Sequence, residues 1–461
     1  MQLLNTILGE RFKVFAAKRP LSVMMRGMFE RAFNPDRVDE LFEKVAERQY
    51  TRDLRFSTVV DLMLKVVFDI SPSIGAAYES SEEPIGVSAV SVYGKLNGVE
   101  PAVAAALVHD SVERFQGVVE QMGSTLTPLL PGYRVRIIDG NHLSATERRL
   151  KEQRRIAAAP LPGKTLVVLD AQVKLATHVI ACEDGHAQER SVFDEILPLV
   201  EAKDLWIADR NFCTTGLLFA IATRGGYFLI RHHGSLIAET ASAAEYKGEC
   251  DGGSVYEQRV IVTERETAEQ MEVRRITVRL KKATRDGDRE LHLLSSIAAE
   301  DASAVELAEL YRKRWKIETL FQELTTTLKC EIKTLGYPRA AILGFCLALV
   351  AYNAVSVVMA ALRDIHGEEK IEKEVSGYYI NLEFRAVYDG MMLILPSPEW
   401  KIFQTMTAAE LLRTLRMLAE NVQLRKYKKH RRGPKKPQPK RVDIGSPHVS
   451  TARLLAERKK K

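Results

Sequence analysis

The sequence predicts a mixed α/β protein flanked by helical regions, and three patterns predict it. Short apolar runs of period two, several closing on a carboxylate, alternate with helical stretches between residues 130 and 232. The stretch 233–296 is strand-like throughout, rich in Val, Ile and alternating charge. Before residue 125 and after residue 297, apolar residues recur at helical spacing.

In chain order, Val38 to Arg48, Ser57 to Val67 and Glu100 to Met122 predict helices, punctuated by Pro72, Pro84 and Pro101. A loop with Ser124, Pro128, Pro131 and Gly132 marks a boundary, because the period then changes from 3.6 to 2. Strands follow over Tyr133 to Asp139, Lys164 to Asp170 and Thr177 to Cys182, then a helix over Glu189 to Val200. Next come a short strand, Leu205 to Asp209, a helix, Thr215 to Thr223, and a strand, Tyr227 to Arg231. Val255 to Val262, Met271 to Leu280 and Glu290 to Leu294 form a β-only insertion, with Gly252-Gly253 and Asp286-Gly287 as turns. Helical periodicity returns from Ala304 through Lys329 and continues into an uncharged helix. The expected organisation is a helical region over 1–125, a discontinuous α/β domain over 130–232 and 297–365, a β-strand insertion over 233–296, a second helical region over 366–420, and a basic tail over 421–461.

Composition narrows the class. With 46% hydrophobic and 28% charged residues, the chain is neither disordered nor fibrous. Five scattered cysteines with no CxxC pair predict a reducing compartment and no structural zinc. The N-terminus lacks an uninterrupted apolar core, so a cytoplasmic location is expected. From Ala340 to Leu362 no charge occurs, long enough to span a bilayer, but Ala, Gly, Asn and Ser dilute the run and favour a buried core helix.

Net charge is +7, yet Asn421 to Lys461 holds 15 Lys and Arg against two acids, a net of +13 that leaves −6 on the preceding 420 residues. Basicity with interleaved prolines and Tyr427 predicts an extended arm following a phosphate backbone, against the alternative of a solvated charge run.

The chemistry lies in the acids. Asp139 and Asp209 each end an apolar strand, so both carboxylates are expected at a sheet edge rather than in solvent at large. A third acid is expected on the helix around Leu310 to Leu324. At about 100° per residue, Tyr311, Arg314 and Glu318 fall within roughly 60° of one another, beside a packing stripe of Leu310, Ile317 and Phe321. Three carboxylates suit hard divalent cations, and Arg with Tyr suits phosphate.

Through Ile137 to His142, Leu205 to Phe212 and Tyr311 to Glu318, the chain resembles bacterial insertion-sequence transposases of the DDE class that carry a Tyr-x2-Arg-x3-Glu-x6-Lys signature. The resemblance implies a ribonuclease H-like catalytic domain with a β-insertion between the second Asp and the Glu. It implies metal ligation by Asp139, Asp209 and Glu318, with two Mg²⁺ ions that Mn²⁺ replaces, and phosphate contacts from Tyr311 and Arg314. The implied activity is cleavage of double-stranded DNA at terminal inverted repeats and joining of the 3′-hydroxyls to target DNA, by a homodimer at the nucleoid with no membrane role. The N-terminal helices are expected to read the repeats and the basic tail to hold target or flanking DNA.

Thr325 stands where the signature has Lys, and Lys329, about 6 Å further along the helix, is the candidate substitute. Arg210, next to Asp209, is expected either to touch DNA or to form a local salt bridge. His142, close to Asp139, is expected as a loop histidine bonded to backbone rather than as a group assisting the site, Asp170 as a turn or solvent-facing residue, and Trp315 as packing or stacking at the domain edge. The insertion lacks the Trp that hairpin-forming relatives stack on a flipped base, because Trp206, Trp315 and Trp400 lie elsewhere. A ribonuclease H-like nuclease or resolvase, a domesticated DNA-binding protein without catalysis, and a membrane protein are the alternatives.

Overall fold

The computed structural model describes residues 12–49, 51–81, 84–123, 128–284, 287–314, 321, 328, 331–380, 382–383, 395, 397–430 and 448–459. It is a mixed α/β fold. One ten-stranded mixed sheet is flanked by N- and C-terminal helical regions.

The principal helices before the sheet are α1 (Pro20–Ala32), α2 (Pro35–Val45), α3 (Phe56–Val67) and α4 (Pro101–Gly123). Asn34 caps α2, its side-chain oxygen accepting from the backbone N–H groups of Asp36 and Arg37, and Pro35 begins the helix where no N–H is needed. Helix α1 buries Leu21, Val23, Met24, Met25 and Met28 around most of its circumference. It therefore has no open apolar or polar stripe of its own.

The sheet runs β4 (Leu175–Cys182), β3 (Lys164–Asp170), β1 (Arg134–His142), β5 (Asp204–Ala208), β6 (Tyr227–Arg231), β11 (Glu290–Ser295), β10 (Gln270–Leu280), β9 (Gly253–Thr263), β7 (Ala238–Thr240), with β8 (Glu245–Cys250) also paired to β9. Strands β1, β5 and β6 are mutually parallel, whereas the remaining pairings are antiparallel. Helix α5 (Thr215–Thr223) makes the crossover that adjacent parallel strands β5 and β6 require. The strands of the 233–296 stretch pair antiparallel among themselves and join the sheet through β11 and β6.

Alternation sorts the residues onto two faces. Val135, Ile137, Leu205, Ile207 and Leu229 face the large core shared with the terminal helices. Ile138, Trp206, Ala208, Phe228 and Ile230 face a smaller core under α5.

Helix α6 (Ala304–Arg312) starts at Ser303, whose hydroxyl accepts from Glu306 N–H while the Glu306 carboxylate accepts from Ser303 N–H. The predicted continuous helix from Ala304 into the uncharged segment is corrected: residues 331–337 are not helical, and α7 (Pro338–His366) begins afresh on its proline. Gly336 and Pro338 explain the break, since Pro lacks the N–H that a preceding turn would use.

Helix α7 is long and apolar enough to cross a membrane by composition, but its most apolar 18-residue window is 89% buried inside the protein. It packs against α1, α4, β4 and α8 (Ala408–Glu420). Buried Asn353 accepts from Ala176 N–H (2.8 Å) and donates to Ala176 C=O (3.0 Å) and Ser111 Oγ (2.9 Å), so α7 is tied to β4 and α4 by a satisfied polar group. That tie sits beside the irregularity where β3 and β4 shift register.

The basic run is bounded by structure on both sides. Tyr427 is buried, bonds Glu383, and adjoins a bridge between Val375 and Lys428, which corrects its expected place on a nucleic-acid arm. Residues 431–447 lie outside the described residues. Beyond them β12 (His448–Ser450) pairs in parallel with β2 (Ala159–Leu161), and α9 (Thr451–Lys459) follows. Arg453 meets Asp184 at 2.8 Å and Arg458 meets Glu152 at 2.8 Å, so the end of the chain is docked near the loop after β1.

Candidate active site

Three consecutive parallel strands end level with one another. Ile137 of β1 is opposite Ile207 of β5, so the same offset two residues later sets Asp139 level with Asp209. Ala208 is opposite Ile230 of β6, which sets Asp209 level with Arg231. By alternation all three side chains leave the sheet on the face of the large core, towards α6. Arg231 escaped the sequence reading: its strand was predicted, but strand register is a tertiary property.

The turn that follows α6 brings the cationic partner. Arg314 Nη1 donates to Asp139 Oδ2 at 2.7 Å, with the two side chains 14% and 17% exposed. Asp139 Oδ1 accepts from Gly140 N–H at 2.9 Å, and Asp209 accepts from Asn211 N–H at 2.8 Å as it caps a short 3-10 turn. Tyr311 is buried beneath this group, and burial pushes its phenol up to about 12. Asp209 adds to that rise, while Arg314 and Arg231 oppose it. Tyr311 is therefore a neutral hydroxyl at physiological pH, in electrostatic contact with the Asp209 and Arg231 strand ends.

The β-insertion holds α6 in place. Arg274 of β10 is buried and donates through Nη1 to the carbonyls of Ile297 (3.1 Å), Ala298 (3.1 Å) and Ala302 (2.7 Å), while its Nε pairs with Glu257 at 2.5 Å. The segment running into the Ser303 cap is thus fixed by one guanidinium. At the other end of α6, Arg312 pairs with Asp251 at 3.0 Å, and Glu309 accepts from Asp251 N–H at 2.7 Å.

Of the other predicted residues, Arg210 is exposed, and among the described residues it has neither a salt bridge nor a side-chain hydrogen bond, so the local ion-pair option is not realised. His142 is corrected from loop to strand: it ends β1 opposite Lys164, and alternation puts it on the other face from Asp139. Asp170 is a turn residue accepting from Gln172 and Val173 N–H, but it is buried beside Arg136 rather than solvent-facing. Glu318, Thr325, Lys329 and Trp315 lie outside the described residues.

The donor set suits a hard cation. Asp139 and Asp209 present carboxylate oxygens at neighbouring strand ends, and Asp139 already balances a positive charge, that of Arg314. Among the described residues no group of three His, Cys, Asp or Glu is clustered at ligating distance. Cys182, Cys213, Cys250 and Cys346 form no disulfide among the described residues.

A mixed sheet with parallel central strands and acids at their ends, flanked by helices, is consistent with a ribonuclease H-like transposase domain. Residues 130–354 match the family model described as Transposase DDE domain, a stretch that runs from just before β1 into α7 and takes in Asp139, Asp209 and Glu318. The match supports a transposase of the DDE type, an enzyme class that acts on DNA and generally uses divalent metals. No curated protein matches the chain.

Proposed function

We propose that the chain is a cut-and-paste DNA transposase of a bacterial insertion sequence, working in the cytoplasm at the nucleoid as a homodimer on paired element ends. The observation that carries this reading is the level placement of Asp139, Asp209 and Arg231 beneath Arg314. Two carboxylates and two guanidiniums on neighbouring elements form a site for a divalent cation and a phosphodiester together.

Asp139, Asp209 and Glu318 would hold two Mg²⁺ ions, with Mn²⁺ as a substitute. When bound, they supply Lewis-acid stabilisation of the attacking and leaving oxygens. The protein's own groups do the positioning. Arg314 exchanges its bond to Asp139 for a non-bridging phosphate oxygen, which frees Asp139 for ligation and clamps the strand. Arg231, paired with Asp288 at 2.6 Å, exchanges that bond for the same phosphate from β6, and the neutral Tyr311 hydroxyl donates a hydrogen bond from below. Arg210 and Lys329 serve as outer phosphate contacts. The site first directs water, then the freed 3′-hydroxyl, at a phosphodiester.

The helical region over 1–125 is the proposed reader of the terminal inverted repeats. A groove of about 340 Å³ there is lined by Arg48, Arg52 and Lys95, cations suited to backbone phosphates. The basic 421–461 region is the proposed holder of flanking or target DNA. The test is a cleavage assay on DNA carrying the element's own ends with Mg²⁺ or Mn²⁺. The proposal expects nicks at the element boundary and joined products with target DNA. Nicking without strand joining would favour a plain nuclease.

A further inference from the structure

The sheet face opposite the carboxylates carries one row of chemistry that the catalytic reading does not use. Reading across five strands in register, His232 follows β6 and bonds the His292 backbone on β11, His292 is opposite Thr277 on β10, Thr277 is opposite Tyr256 on β9, and Tyr256 is opposite Tyr246 on β8. Alternation places Thr277, Tyr256 and His292 on the face of Leu294, Val273 and Val260, which belong to the smaller core. The apolar cover stops there. Tyr246 is 57% exposed, and the side chains of His292 and Arg279 are 42% and 60% exposed.

The row is preorganised. His292 Nδ1 shares a 2.9 Å hydrogen bond with Thr277 Oγ1, Tyr246 and Tyr256 meet edge to face at 5.6 Å, and the Arg279 guanidinium lies 4.3 Å from the Tyr256 ring centre. Glu290 pairs with Arg279, and Glu249 accepts from the Tyr246 hydroxyl at 3.3 Å. Arg275, one pleat away from Thr277, differs: among the described residues it has no hydrogen-bond or ion-pair partner, and its Nε is shielded from solvent. Its charge acts on His232 and His292, both of which are held towards the neutral form chiefly by burial.

We propose that this row is a second nucleic-acid surface, which takes single-stranded DNA: bases stack on Tyr246 and on the Tyr256–Arg279 pair, and a backbone phosphate binds Arg275. One exposed ring, a second half-buried ring under a guanidinium, and one cation without an acidic partner, Arg275, are features an unpaired strand can use, because each base offers a π-face and each linkage a charge. Five strands at about 4.8 Å span roughly 19 Å, room for several stacked nucleotides at about 3.4 Å each. His232 immediately follows Arg231, so the row begins where the strand end carrying Arg231 finishes, on the reverse face. A strand leaving the carboxylates would have to pass round the end of the sheet to reach it. The proposal rests on the chain acting on DNA, but not on which residues cut.

The test is fluorescence anisotropy of the full chain with a short labelled oligonucleotide, single-stranded or duplex, over a salt series. Tyr246→Ala with Arg275→Gln should weaken single-strand binding about tenfold or more and lower its salt slope by about 0.7, the value for one lost phosphate contact. Duplex binding should stay within about twofold. Tyr246→Trp and Arg275→Lys, which keep the π-face and the charge, should retain binding. Unchanged single-strand affinity in the double variant would overturn the proposal, as would equal losses for single strand and duplex. A shift in sedimentation without a change in single-strand affinity would also overturn it, by marking the face as a protein interface. Asp139→Ala separates this site from the catalytic one: single-strand binding should persist there whether or not cleavage is lost.

Discussion

Arg314 on the segment after α6 and Asp139 on β1, 175 residues apart in the chain, form a half-buried ion pair at 2.7 Å. The carboxylate proposed as a metal ligand is thus charge-balanced by the cation proposed to clamp phosphate. Arg314→Ala should therefore have opposite effects on two measurements. Binding of Mn²⁺ to DNA-free protein should tighten by about tenfold, because a competing cation is gone. Strand transfer should fall by at least about 100-fold, because the phosphate clamp is gone. Weaker Mn²⁺ binding would mean that Arg314 supports the ligand rather than competing for it.

Arg274 supports the site at a distance, through three carbonyls ahead of the α6 cap. Arg274→Ala leaves those carbonyls and Glu257 without their shared donor in a buried setting. Urea unfolding should register a loss of about 3 to 5 kcal/mol. Arg274→Lys should recover only part of it, since an ammonium cannot reproduce the planar fork. A loss below 1 kcal/mol, on the order of an exposed pair, would show that the segment is held by other contacts.

Burial raises the Tyr311 phenol to about 12. The contribution is present below the ordinary value of 10.0 and is lost as pH rises through the folded value. Ultraviolet titration of the native protein against Tyr311→Phe should give a flat difference up to pH 10. A tyrosinate signal appearing in that difference at or below pH 10 would place the phenol in solvent.

His178 on β4 moves the other way, down to about 4, chiefly through burial and then through His109 and Arg136. A depressed histidine contributes stability above its ordinary 6.5, and that stability is lost as pH falls towards the folded value. His178→Gln should flatten the fall in Tm between those two pH values. Parallel Tm profiles for both proteins would contradict the assignment.

How much of this was legible in the sequence follows from which interactions are local. Asp139 and Asp209 stood out because the first closes an alternating run and the second a continuous apolar one, patterns within seven residues or fewer of chain. Arg231 did not, since its significance comes from the β5–β6 register. Helix α1 lay inside the predicted helical region but without bounds of its own, because it is buried nearly all round and so lacks a polar stripe of helical period. Strand β8, Glu245 to Cys250, is mostly exposed and carries no alternating apolar pattern. Three-residue β12 exists only because β2 is there to pair with it.

The central claim is that Asp139 and Asp209 form one metal-dependent DNA-cleaving site. Its most direct test is a single-turnover nicking assay on element-end DNA with Mg²⁺, comparing the native protein with Asp139→Asn and Asp209→Asn. Both substitutions keep the side-chain volume while removing the charge. Each variant alone should lower the nicking rate by at least about 1,000-fold, with the double variant little worse, as for groups acting as a unit. Metal-dependent nicking by either single variant at near-native rate would contradict the claim.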